Sequence, residues 1–114
     1  MSHLKINWND FTKVDIRCGK IVNVEDFPEA LNPSYKLKID FGENLGIKKS
    51  SAQITDLYEK DDLLDTLILA VVNFPPKQIG PTISEVLVLG VVQSNNQVVL
   101  VRPDKGAELG ARLA

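Results

Sequence analysis

The hydrophobic pattern of the chain is dominated by short segments that alternate with the two-residue period of a β-strand. The clearest is YKLKIDFG at residues 35–42, in which Tyr35, Leu37, Ile39 and Phe41 are separated by Lys36, Lys38 and Asp40. Because successive side chains of a strand point to opposite faces, one set is expected to be buried and the other exposed. The segment therefore predicts a half-buried strand whose outer face carries two lysines.

Apolar and β-branched runs predict the other strands, and turn-forming residues separate them. The predicted strands lie at residues 15–27, 35–42, 47–54, 67–74, 85–92 and 98–103. Gly19 interrupts the first of them, which predicts a bulge or a bend there. Short helices are predicted within residues 8–15, with Asn9 or Asp10 as the N-cap, and within residues 55–65, with Thr55 as the N-cap.

The order of these elements indicates the fold class. Three strands, a short helix and then further strands predict an all-β OB-fold, a five-stranded Greek-key β-barrel with a short helix between strands 3 and 4 and short terminal extensions. An SH3-like barrel is the nearest alternative, although a helix at that point is less expected there. A length of 114 residues predicts a single domain over residues 1–114, large enough for a core without cross-links.

Two apolar segments lack the alternation of a strand with one wet face. They are LILAVVNF at residues 67–74 and VLVLGVV at residues 86–92. An antiparallel strand exposed on one side alternates, so both faces of these segments are predicted to be covered. A second copy is the simplest cover, which predicts a two-fold symmetric homodimer. The alternative is that the N- and C-terminal segments of the same chain cover them.

Composition and charge exclude several classes of protein. The net charge is −2, which argues against a strongly basic nucleic-acid-binding domain. Residues 1–49 hold eight Lys and Arg against seven Asp and Glu, and residues 50–114 hold five against eight, so a basic surface must come mainly from the first half. No run approaches 18 apolar residues and no apolar leader is visible, so we expect no membrane insertion and a cytoplasmic location.

Residues suited to catalysis or metal binding are scarce. His3 is the single histidine and lies near the N-terminus, and Cys18 is the single cysteine, in the middle of a predicted strand. A lone cysteine excludes a disulfide framework within the chain, and no histidine is placed to activate its thiol. No Cys and His cluster has metal-ligand spacing. We therefore expect no catalytic residue, no metal and no cofactor.

The connection NFPPKQIGPTISE at residues 73–85 carries three of the six prolines between two apolar runs. A simple hairpin turn needs only two to five residues, so this segment is longer and stiffer than a turn requires. A pre-ordered loop loses less entropy on binding, which favours a role in recognition. The alternative is a stiff crossover at the end of the barrel.

Five blocks of the sequence carry a family resemblance over residues 10–113. They are DFTKVDIRCGKIVNVEDFPEA, YKLKIDFG, GIKKSSAQIT, AVVNFPPKQIGPTISEVLVLG and GARLA. In this order and spacing they resemble the CsaA-type proteins, which are stand-alone members of the tRNA-binding-domain family. The resemblance implies an OB-fold, a homodimer and no catalysis. It also implies binding to tRNA, to unfolded polypeptides bound for export, or to both.

The resemblance places Lys77 and Ser84 on a recognition surface at the barrel rim. Together with a lysine cluster on neighbouring strands, they form the predicted RNA-binding set: Lys36, Lys38, Lys48, Lys49, Lys77 and Ser84. Such a cluster can follow phosphates, although an ordinary solvated sheet face is the alternative. Few aromatic side chains are available for stacking, so recognition of RNA shape and backbone is expected.

The second predicted site is an apolar groove for peptides near Phe27, Leu31, Tyr35, Asn73 and Phe74. Many CsaA-type sequences carry basic residues where this chain has Leu31 and Asn32, which weakens the expected RNA contact and favours peptide capture. The sequence thus predicts a non-enzymatic, homodimeric CsaA-like chaperone for unfolded, export-bound polypeptides. A tRNA-binding module is the alternative, and an interaction domain with neither ligand is a third interpretation.

Overall fold

The computed structural model describes residues 4–114, and His3 lies outside that range. Helix α1 spans Trp8–Thr12 and helix α2 spans Lys60–Leu63. The strands are β1 Ile16–Asp26, β2 Tyr35–Asp40, β3 Ile47–Ala52, β4 Leu67–Val71, β5 Lys77–Ile79, β6 Thr82–Ser84, β7 Leu87–Val88, β8 Gly90–Val92 and β9 Val98–Leu100. Neither helix is long and apolar enough to cross a membrane within this described range.

An antiparallel sheet with the strand order β3-β2-β1-β4-β7 forms most of the structure. The long strand β1 is its centre, because its first half pairs with β4 and its second half pairs with β2. Lys20 lies at the exchange point, opposite both Asp40 and Leu67. The register shifts between Ile21 and Asn23, so the predicted bulge exists but lies beyond Gly19.

The sheet closes into a nearly complete barrel where β3 meets the residues before β7. Glu85 donates its backbone N–H to the carbonyl oxygen of Lys49 at 2.8 Å. In return, a carboxylate oxygen of Glu85 accepts the N–H of Lys49 at 3.0 Å. The nearly closed five-stranded barrel, with α2 between β3 and β4, confirms the OB-fold expected from the sequence.

The core fills the barrel with alternate side chains of its strands. Tyr35, Leu37, Ile39 and Phe41 are all buried, as the alternation of residues 35–42 predicts. Further buried side chains in the same cluster come from the other strands and α2: Ile21, Ile54, Leu63, Ile68, Ala70, Val86 and Leu100. Gly19 serves this packing, because a Cβ atom there would lie 2.6 Å from the Cγ2 of Ile39.

Several element boundaries differ from the sequence-based predictions. The segment 85–92 is two strands rather than one, because Leu89 changes partner: its N–H still bonds the carbonyl of Leu69 in β4, but its own carbonyl accepts the N–H of Val101, just after β9. The predicted helix at 55–65 is a single turn that begins after Glu59 rather than Thr55. Helix α1 is capped by Asn7, whose side chain accepts the N–H of Asp10, rather than by Asn9 or Asp10.

The apolar segments 67–74 and 85–92 are covered to different degrees. On β4, Ile68 and Ala70 face the core, and Leu69 on the outer face is half-buried. Leu69 donates its N–H to the carbonyl of Val101, so the chain just after β9 pairs with the edge of β4. That a second copy covers these segments stays a prediction. The segment 85–92 and β9 leave four side chains exposed: Leu87, Val91, Val92 and Val99.

Candidate nucleic-acid and peptide interface

The proline-rich connection folds into a β-hairpin of its own, formed by β5 and β6. Lys77 lies opposite Ser84, and Ile79 lies opposite Thr82. Gly80 takes a left-handed backbone conformation in the turn, with φ of 57°, which glycine adopts without a steric penalty. The sequence pattern does not predict this hairpin, because its strands are only three residues long. It projects beside β3 and forms a wall between two grooves.

The first groove, which we call the lysine groove, lies between the outer face of the β1–β2–β3 sheet and one side of the hairpin. Its volume is about 320 Å³. Its lining residues are Asn23, Glu25, Lys36, Leu37, Lys38, Lys49, Ser50, Pro81, Thr82 and Ile83. The groove therefore brings together three of the five lysines that the sequence predicts for RNA binding.

The three lysines of this groove differ in their surroundings. The ammonium group of Lys36 lies 3.9 Å from a carboxylate oxygen of Glu25 and 5.5 Å from the ring centroid of Phe27. Lys36 is thus already held by an ion pair and a cation–π contact. Lys38 and Lys49 lie directly opposite each other across β2 and β3. Within residues 4–114, no carboxylate lies within ion-pair distance of either.

Lys48 and Lys77 do not line the lysine groove. Lys48 lies opposite the buried Ile39 in the β2–β3 register, and successive strand residues point to opposite faces. Lys48 therefore emerges on the other side of the sheet from Lys49. Lys77 is exposed, but it lines the second groove, on the far side of the hairpin.

The second groove, which we call the apolar groove, consists of two connected hollows of about 430 and 800 Å³. Ser51, Lys77, Ile79 and Leu87 line both hollows. Phe74 lines the smaller hollow and Leu31 lines the larger one. Leu31 is fully exposed and Phe74 is 53% exposed, so both side chains are available to a ligand.

Three other residues of the predicted peptide site hold the fold together instead. Phe27 is 3% exposed and Tyr35 is 7% exposed, so neither side chain forms groove surface. The hydroxyl of Tyr35 donates to the carbonyl of Tyr58 at 2.8 Å. Asn73 donates its amide N–H to the carbonyl of Lys13 at 2.7 Å and accepts the N–H of Asp15 at 3.0 Å.

Ser84 also has a structural partner, although it stands at the root of the hairpin. Its hydroxyl donates to the carbonyl of Val86 at 3.2 Å and lies 3.5 Å from the hydroxyl oxygen of Ser50. Ser50 is buried and donates to the same carbonyl at 2.9 Å. The two hydroxyls therefore anchor the hairpin to the point of barrel closure.

Groups with shifted pKa values lie away from both grooves. Burial raises the pKa of the Cys18 thiol, which keeps it neutral and unreactive. Arg17 is held by Asp15, with a nitrogen-to-oxygen distance of 2.6 Å, and this hydrogen bond raises the pKa of the guanidinium. Among residues 4–114, no group of three His, Cys, Asp or Glu side chains is arranged to hold a metal ion.

Several groove residues were not predicted from the sequence. Asn23 lies in the lysine groove because the register shift in β1 rotates the strand there. Pro81, Thr82 and Ile83 reach the groove only because the hairpin folds back over the sheet. The dipeptide IG at 79–80 followed by proline is a turn signal, and it could have indicated the hairpin.

Comparisons with known proteins give a consistent result. Residues 16–112 match the family described as "Putative tRNA binding domain". Methionine–tRNA ligase of Thermococcus onnurineus is 36% identical over 108 residues, which are 95% of this chain and 14% of the ligase. The chain therefore spans about one seventh of the length of the curated relatives it matches.

Two solved structures are similar over nearly their whole length. The CsaA chaperone protein from Picrophilus torridus is 56% identical with a TM-score of 0.91, covering 96% of this chain and all of the other. The chaperone CsaA from Bacillus anthracis is 45% identical with a TM-score of 0.92, covering 97% of this chain and all of the other. With the OB barrel and its lysine-bearing face, these matches show that the chain belongs to the CsaA-type branch of the tRNA-binding-domain family.

Proposed function

We propose that this chain binds tRNA through the lysine groove and acts without catalysis, as one domain over residues 1–114. The observation that carries this proposal is the pair of exposed, unneutralised lysines, Lys38 and Lys49, beneath an ordered hairpin. Positive side chains on a sheet face can contact phosphates along an RNA backbone. Membership of the tRNA-binding-domain family supports this ligand.

The apolar groove favours a second function, which is to hold segments of unfolded, export-bound polypeptides. Leu31, Phe74 and Leu87 are exposed around hollows that have few charged groups. Exposed apolar surface of this extent in a soluble domain is typical of an interaction site. Two similar structures are those of CsaA chaperones, which supports a chaperone role for this chain, and we expect that role in the cytoplasm.

Salt dependence separates the two functions in one experiment. Purified protein is titrated with total tRNA and with an unfolded preprotein at 50 and 200 mM salt. If Lys38 and Lys49 each contact one phosphate, tRNA affinity falls by about tenfold over this fourfold rise in salt. Peptide capture is expected to change little with salt and to show a negative heat-capacity change. No binding of tRNA at either salt concentration would refute the RNA function.

A matched pair of substitutions tests the peptide function. Leu31→Asp places a charge in the apolar groove, and we expect it to abolish preprotein binding. Leu4→Asp is the control, because Leu4 is 88% exposed and lies outside the groove. Peptide capture by Leu31→Asp at the level of the control would exclude this groove as the peptide site.

Val91 and Val99 support the proposal of a homodimer, because both are exposed and they lie opposite each other on one face of the β8–β9 hairpin, outside the lining of the apolar groove. Burying these apolar side chains against a second copy removes their surface from water, and two-fold association places the same pair on both subunits. We expect light scattering to give twice the mass of the chain, and Val91→Asp to give a monomer. A wild-type monomer at micromolar concentration would refute the dimer.

A further inference from the structure

Lys38 and Lys49 place two positive charges directly opposite each other on neighbouring strands. The two residues are direct cross-strand partners between β2 and β3, so their side chains leave the sheet on the same face. Like charges placed directly opposite each other destabilise a sheet. Both lysines are exposed on that face, and their pairing is expected to be repulsive in the unliganded protein.

Neighbouring groups do not relieve this repulsion. Glu25, a carboxylate of the same groove, is paired with Lys36. The Glu85 carboxylate accepts the backbone N–H of Lys49 rather than pairing with its ammonium group. Proteins tolerate local violations of this kind mostly at functional sites. An anion placed between the two ammonium groups would convert the repulsion into two attractions.

The rest of the lysine groove has the size and chemistry of a site for one small ligand. Its volume of about 320 Å³ lies at the low end of the range for small-molecule sites. On the wall opposite the lysines, Pro81 and the half-exposed Ile83 supply apolar surface. Asn23 is half-buried in the groove, and its amide makes no hydrogen bond with other described residues. An amide offers both a donor and an acceptor to a base edge.

We propose that the Lys38–Lys49 pair is a phosphate site and that the lysine groove holds one unpaired nucleotide of the bound RNA. The phosphate lies between the two ammonium groups, the base packs against Pro81 and Ile83, and Asn23 faces the base edge. The hairpin closes one side of the groove, so a base in a continuous duplex is excluded from it. This inference rests on the proposed RNA binding and specifies its ligand as single-stranded.

The experiment measures stability and RNA affinity on the same variants. Lys38→Gln and Lys49→Gln each remove half of the repelling pair, and Lys49→Glu creates a cross-strand ion pair. Lys105→Gln is the matched control, because Lys105 is exposed and lies outside the groove. The probes are a fluorescent single-stranded RNA of ten nucleotides and a blunt RNA duplex of the same length.

The expected effects on stability and on affinity have opposite signs. Each Gln variant raises the urea midpoint, because a like-charge pair is removed. It also weakens binding of the single strand by about tenfold and lowers its salt slope by about 0.7. Lys49→Glu raises the midpoint further and abolishes binding, whereas the control changes neither quantity. Asn23→Ala reduces the affinity differences among homopolymer RNAs and leaves the salt slope unchanged.

Three results would overturn the proposed nucleotide site. The first is a lower urea midpoint in either Gln variant, and the second is single-strand affinity within twofold of wild type. The third is duplex binding as tight as single-strand binding, which would indicate a general anion surface. If wild type still binds tRNA in these cases, RNA binding survives and the nucleotide site fails. If wild type binds no RNA, the proposed function itself fails.

Discussion

Asn73 provides a direct test of whether a residue near the apolar groove binds ligand or holds the fold. Its side chain joins the end of β4 to the segment before β1 through two hydrogen bonds, to the carbonyl of Lys13 and the N–H of Asp15. These bonds span 60 and 58 residues of sequence. Asn73→Ala removes both and leaves two backbone groups to water.

The magnitude follows from the number and exposure of these bonds. A neutral hydrogen bond contributes about 0.5–1.5 kcal/mol net, so the pair contributes about 1–3 kcal/mol. Because Asn73 is exposed, water replaces part of each bond, and we expect a loss of about 1–2 kcal/mol in the free energy of unfolding. Asn44→Ala is the control, since the exposed Asn44 side chain makes no hydrogen bond to the described residues.

Urea unfolding measures this effect as a lower midpoint with an unchanged slope. Capture of an unfolded preprotein is measured in parallel, under conditions in which both variants remain folded. A structural Asn73 predicts lost stability with unaltered capture. The reasoning fails if Asn73→Ala unfolds within about 0.5 kcal/mol of wild type, the usual range for neutral surface changes. Weaker capture at full stability would instead assign Asn73 to the peptide site.

Two further predictions concern the core. Gly19→Ala places a methyl group 2.6 Å from the Cγ2 of Ile39 and 2.7 Å from the ring of Phe41. Overpacking of this kind lowers the free energy of unfolding by about 1–3 kcal/mol, which urea unfolding measures. Gly106→Ala is the control and is expected to be neutral, because its methyl group meets no atom within 4 Å. Burial raises the pKa of Cys18 above its ordinary value of 9.0, so above that pH the unfolded chain loses the thiol proton first and stability falls. In Cys18→Ala, the free energy of unfolding should fall less steeply between pH 8 and 10.5 than in the wild type. An unchanged slope would contradict the raised pKa of Cys18 as the cause of the fall.

The sequence alone determined the features of this protein that depend on local periodicity. The alternation in residues 35–42 fixed which side chains of β2 are buried and placed Lys36 and Lys38 on its outer face. The order of strands and helix indicated the OB barrel. These predictions succeeded because a two-residue period leaves only one arrangement that removes the apolar set from water.

Tertiary structure decided which of those side chains meet. Lys38 lies opposite Lys49 only because the turn between β2 and β3 sets their register, and Lys48 is carried to the other face by the same pairing. Burial of Phe27 and the long-range hydrogen bonds of Asn73 also depend on the tertiary structure, and residue type alone does not predict them. The β5–β6 hairpin depends on anchoring at Ser50 and Glu85. Contacts between distant segments have no signature in local sequence, and these contacts build the two grooves.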